Sequence, residues 1–72
     1  MSMTEKVYLC TLAEVRDDHG ITLQELADAI GVSRQALSAI EKNISEPGIT
    51  TVLKIADYFS IPVEALFEEK SL

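Results

Sequence analysis

The chain has 72 residues, 47% of them hydrophobic, and sets 6 basic side chains against 12 acidic ones for a formal net charge of −6. That length supports one domain, which buries only about 60% of the surface its unfolded form would expose, so the stability margin is thin and a sizeable substrate pocket is not expected. No apolar run approaches the roughly 18 residues of a membrane span; one cysteine, Cys10, excludes an internal disulfide, and no Cys/His cluster has structural-zinc spacing.

The segment Met1 to Lys6 lacks the basic stretch and apolar core of a secretory signal, so the chain reads as cytoplasmic, with residues 1–6 a flexible N-terminal segment. Tyr8, Leu12 and Val15 recur at helical spacing and the run closes at Gly20, which predicts a first amphipathic helix over about residues 7–19. Val7 and Leu9 fall off that stripe: either the helix extends there toward a partner, or Val7 to Leu9 is extended.

Thr22 followed by Glu25 is a capping box, in which the threonine oxygen takes a free backbone N–H and the glutamate reaches back to the N-cap amide. It opens a helix of about two turns whose inward face is Leu26, Ala27 and Ile30. Gly31 follows, where a left-handed residue ends a helix without steric penalty. Ser33 is placed to cap a third helix, with Leu37 and Ile40 inward, Arg34, Gln35, Ser38 and Lys42 elsewhere, and Asn43 suited to its end. Two short helices joined by a Gly-containing turn form the helix-turn-helix pattern, here residues 23–43, in which the second helix enters the major groove of DNA.

Ile44 to Gly48, with Ser45, Pro47 and Gly48, reads as a loop. A fourth helix is expected from Ile49 or Thr50 to Phe59, with Val52, Leu53, Ile55, Ala56 and Phe59 as its apolar stripe. Pro62 then opens a short fifth helix, Val63 to Glu68, which closes the 7–68 domain and leaves 69–72 as a frayed tail. No internal repeat, low-complexity tract or strong strand signal is present.

The run Leu23-Gln-Glu-Leu-Ala-Asp-Ala-Ile-Gly-Val-Ser-Arg-Gln-Ala-Leu-Ser-Ala-Ile-Glu-Lys-Asn43 resembles the Cro/CI-type regulators, the lambda-repressor-like or XRE helix-turn-helix family. Glu46-Pro-Gly-Ile49, Leu53-Lys-Ile-Ala56 and Ile61 to Phe67 resemble that family's last two helices, so the likeness covers about residues 8–68. It implies an all-α, compact five-helix domain that binds double-stranded DNA as a homodimer, with the helix from Arg34 to Lys42 in the major groove. It also implies an ion pair inside the bundle between Arg16 and Glu41. The family's phosphate-clamping glutamine at the start of the second helix is replaced here by Leu23, with Gln24 one position later, so that clamp is weakened.

Gln35 is the leading base reader, because one side-chain amide donates and accepts and so matches adenine N6 and N7. Arg34 can grip guanine or a phosphate. Ser33 and Ser38 can reach a phosphate or base, although Ser33 is also the helix cap. Ala36 and Ala39 thin that face, and Ala36 can meet a thymine methyl; Lys42, Asn43 and Gln24 suit phosphates. The acidic sum opposes this reading, since nucleic-acid binders present a basic face, but Arg34 and Lys42 lie on the reading unit while Asp17, Asp18, Asp57, Glu64, Glu68 and Glu69 lie outside it. So few cations imply release of only about 4 to 6 counterions per dimer.

No Ser/His/Asp, Cys/His or metal-ligand constellation is present, so no catalysis, metal, cofactor, membrane or small-molecule substrate is expected. The expected activity is that of a transcriptional regulator, a repressor acting by occupancy of a palindromic operator. The rival is a protein-interaction module, antirepressor-like or antitoxin-like, whose acidic surface engages another protein.

Overall fold

The computed structural model describes residues 6–71. It consists of a strand β1 (Lys6–Cys10), helices α1 (Leu12–Asp18), α2 (Leu23–Ile30), α3 (Arg34–Glu41) and α4 (Ile49–Phe59), a single 3-10 turn (Val63–Leu66) and a strand β2 (Phe67–Ser71). The helices pack around Leu12, Leu26, Ala27, Ile30, Leu37, Val52, Ile55, Ala56, Phe59 and Leu66, all buried, and no polar or charged residue among those described is buried with them.

Local chemistry sets the helix ends. The Thr22 hydroxyl accepts from the Glu25 amide at 3.1 Å while the Glu25 carboxylate accepts from the Thr22 amide at 3.2 Å, the reciprocal pattern that satisfies two donors at the start of α2. Gly31 ends α2 in the left-handed region at φ 76°, and its amide donates to the Ala27 carbonyl. Two residues later the Ser33 hydroxyl caps α3 by accepting from the Ala36 amide at 3.0 Å. The loop from Ile44 to Gly48 and the span of α4 follow the sequence pattern.

The ends of the chain depart from it. The all-α expectation of five helices gives way to four α-helices and a two-stranded antiparallel sheet, with Cys10 opposite Phe67 and Lys6 opposite Ser71. Residues 7–10 belong to β1 and not to the first helix, so Tyr8 leaves the predicted apolar stripe and stands exposed. The expected fifth helix stops at Leu66 after one 3-10 turn, and residues 69–71, placed in a fraying tail, are paired in β2. Residues 1–5 and 72, parts of the two terminal segments expected from the sequence, lie outside the described residues.

Thr11 explains the switch from strand to helix. Its hydroxyl and its amide donate to the Ala65 and Leu66 carbonyls, both at 2.8 Å, so it locks the start of α1 to the end of the 3-10 turn instead of capping α1 with its side chain. That lock sets the two ends of the chain side by side and lets them pair. A two-stranded ribbon is marginal in water by itself; here its base is held by Thr11 and by Cys10 and Phe67, which pack against the core.

Candidate nucleic-acid interface

Helix α3 buries Leu37 and Ile40 and therefore turns its other face outward. Arg34, Gln35, Ser38, Ala39 and Lys42 line one open groove on that face, with Ile44 at its end. Arg34, Gln35, Ala36 and Lys42 are exposed, whereas Ser38 and Ala39 are half-buried at the floor of the groove. The two cations stand about two turns apart along the helix, and neither takes part in an ion pair among the described residues. With alanines between polar tips, the face is low enough for close approach to another surface and offers donors at both ends.

The orientation of α3 is fixed from behind. Arg16 on α1 donates through Nε to Glu41 Oε2 at 2.8 Å and through Nη2 to Oε1 at 3.3 Å, while Nη1 donates to the Ile21 carbonyl at 2.8 Å. Only 18% of the Arg16 side chain and 11% of the Glu41 side chain are accessible, so the pair is shielded from water and the planar guanidinium meets the carboxylate as a fork. Its hydrogen bond to Glu41 raises the Arg16 pKa above the ordinary value, and the cation stays charged. One end of α3 is thus tied to α1 and to the turn that leads into α2.

Three other site residues sit differently from a plain surface assignment. Ser33 spends its hydroxyl as an acceptor on the Ala36 amide. The Gln24 amide donates to Asp28 at 2.8 Å, within α2. Asn43, left-handed at φ 59°, accepts the Cys10 amide on its Oδ1 at 2.8 Å and so joins the segment that follows α3 to β1. Leu23, at the position of the missing clamp, is half-buried and packs against the core. Cys10 itself is half-buried; burial pushes its thiol pKa up, with a hydrogen bond at the Leu12 backbone working against this and the nearby Glu41 charge adding to it. His19 is exposed, donates through Nδ1 to the Val15 carbonyl at 2.8 Å and lies against the Phe59 ring.

The sequence reading passed over Ile44. It is 76% exposed, lines the α3 groove, and also lines a second, more apolar groove with Tyr8, Ile49 and Val63. An isoleucine set between Asn43 and Ser45 in an otherwise polar loop was the available signal.

Among the described residues no helix is long and apolar enough to cross a membrane, and no group of three or more His, Cys, Asp or Glu residues could hold a metal ion. A family model described as helix-turn-helix matches residues 12–66. An uncharacterized HTH-type transcriptional regulator of Methanocaldococcus jannaschii is 41% identical over 49 residues, which are 68% of this chain and 74% of that protein. Of two further curated relatives the chain spans only 29% and 16%. The solved structure of SinR, a master regulator for biofilm formation, in complex with DNA superposes with a TM-score of 0.67 at 32% identity, over 72% of this chain and 84% of that one. The transcriptional regulator VanUg, 19% identical, shares the fold over 100% of this chain and 96% of its own, with a TM-score of 0.76.

Proposed function

The chain belongs to the Cro/CI-type helix-turn-helix transcriptional regulators, a DNA-binding family and not an enzyme class, and from that premise we propose that it is a sequence-specific repressor that binds a palindromic operator as a homodimer. The single observation that carries the proposal is the outward face of α3, where Arg34, Gln35, Ser38 and Lys42 line one groove together with Ala39 and Ile44. In the major groove Gln35 reads adenine through its amide, Arg34 takes guanine or a phosphate, and Ser38 and Lys42 hold the backbone. Ala36 meets a thymine methyl and Ala39 allows close approach. Ser33, Asn43 and Gln24 act at the margins, where each would reach a phosphate with the part of its side chain not already engaged. Occupancy of the site, which excludes other proteins from the same DNA, is then sufficient for repression.

The rival reading as a protein-interaction module rests on Leu23, which packs inward where a phosphate clamp is expected, and on the net charge of −6. Against it, the centre of the α3 face carries Gln35, Ser38 and Ala39, and its one exposed aliphatic residue, Ile44, is a loop residue beyond the end of the helix, whereas protein interfaces concentrate aromatic or aliphatic anchors at their centre. Selection of binding sequences from random duplex DNA decides between the two. The proposal expects an enriched motif of two inverted half-sites spaced about one helical turn, roughly 10 base pairs. Recovery of unenriched sequence by folded protein would reject it.

A further inference from the structure

We infer that Asn43 is a positioning residue for Lys42: the hydrogen bond that its Oδ1 accepts from the Cys10 amide makes the ribbon of β1 and β2 a back-stop for the C-terminal end of α3, and DNA affinity depends on that bond. The inference rests on the DNA-binding reading of α3.

Residue type is the first argument. Asn43 stands in the left-handed region at φ 59°, where glycine is the least strained residue, and the chain does place glycine at φ 66° after α1 and at φ 76° after α2. Asparagine keeps a side chain that glycine lacks, and the side chain is engaged: Oδ1 accepts the Cys10 amide at 2.8 Å across 33 residues of sequence. A backbone N–H only donates, so the atom that faces it is the amide oxygen. Direction is the second argument. Lys42 and Ile44 line the α3 groove, whereas Asn43 between them lines the groove that β1 borders.

The third argument is that Lys42 is held from both sides. Glu41 before it is bound by Arg16 of α1, and Asn43 after it is bound by Cys10 of β1. The Asn43 and Ile44 amides then close the end of α3 by donating to the Ile40 and Ala39 carbonyls at 3.1 and 2.9 Å. Cys10 does not give way easily, because Thr11 beside it is locked to the Ala65 and Leu66 carbonyls. A lysine delivered from a fixed backbone loses less freedom when its ammonium meets a phosphate, so the ribbon contributes to affinity without touching DNA.

The test is binding of wild type, Asn43→Gly, Cys10→Pro and the double variant to a selected duplex carrying one half-site, at a temperature well below each melting point. Glycine keeps the left-handed backbone and removes the acceptor. Proline removes the donor, and the pairing of β1 with β2 loses no bond by it, since the one N–H of Cys10 is spent on Asn43. Cys10→Ala keeps that amide and should bind as wild type does. Each single substitution should weaken binding about fivefold, the net worth of one hydrogen bond, and the double variant should bind no more weakly than either single one. Loss in Asn43→Gly alone would make Asn43 a direct DNA contact, and additive losses would make the two residues independent; either result overturns the inference. If Cys10→Pro does not fold, hydrogen exchange of the Cys10 amide in wild type decides. Reciprocity requires the selected duplex to slow that exchange by the same factor of about five, and an unchanged rate overturns the inference. Sequence-blind binding by folded wild type would reject the DNA reading itself, and the inference with it.

Discussion

Replacing Glu41 by alanine would leave the Arg16 guanidinium, whose side chain is only 18% accessible, without both of its carboxylate hydrogen bonds and with the Ile21 carbonyl as its remaining acceptor. Deleting one partner of a shielded pair costs more than the pair contributes, because the remaining charge is stranded; the expected loss is about 3 kcal/mol. Thermal unfolding of Glu41→Ala should therefore show a drop in melting temperature of well over about 10 °C for a domain of this size. An unchanged melting temperature would mean that water already solvates Arg16. At this scale the sequence was only partly informative. Arg16 and Glu41 are 25 residues apart, and it was the family resemblance, not their spacing, that paired them. The bond from Cys10 to Asn43 could not be read at all, since it depends on β1 reaching the end of α3. Asn43 was legible as a left-handed terminator, its local property, and illegible as a link between elements.

At the scale of elements, what was written locally was readable and what depends on distant pairing was not. The capping box of α2, the serine cap of α3 and the left-handed backbone stop at Gly31 each rest on groups within three or four residues of one another. The ribbon joins residues 6–10 to residues 67–71. Phe67-Glu-Glu-Lys-Ser71 carries no β-branched residue and no clean alternation, so β2 does not announce itself; Val7 and Leu9 fall off the helical stripe, and Val7 to Leu9 was open to either an extended or a helical reading, of which the extended one holds. Their pairing follows from the Thr11 lock, which exists only once α1 and the 3-10 turn are packed. The turn between α2 and α3 is where the helix-turn-helix geometry is most exposed to substitution. A Cβ at Gly31 would meet nothing within 4 Å, so Gly31→Ala tests backbone conformation alone. At φ 76° an L-residue costs about 1 kcal/mol, and the melting temperature should fall by roughly 4–8 °C with the far-ultraviolet circular dichroism of the folded state preserved. No change would mean that the turn relaxes freely out of the left-handed region.

On the scale of the whole molecule, binding to a polyanion by a chain of net charge −6 depends on where the charges stand. Arg34 and Lys42 line the α3 groove, Glu41 is turned inward onto Arg16, and no carboxylate is among the residues that line that groove. Under the proposed operator-binding reading, affinity comes more from base contacts and dimer avidity than from phosphate neutralisation, which predicts a shallow salt dependence. The most direct test is fluorescence-anisotropy titration of a selected duplex and a scrambled one at two salt concentrations, comparing wild type with Gln35→Ala. The expected outcome is preference for the selected duplex, a log–log salt slope between about −4 and −6, and a loss of roughly 1–3 kcal/mol of discrimination in the variant, the worth of one bidentate base contact. Equal binding of both duplexes by folded wild type, or a slope steeper than about −8, would contradict the assignment of α3 as a base-reading helix.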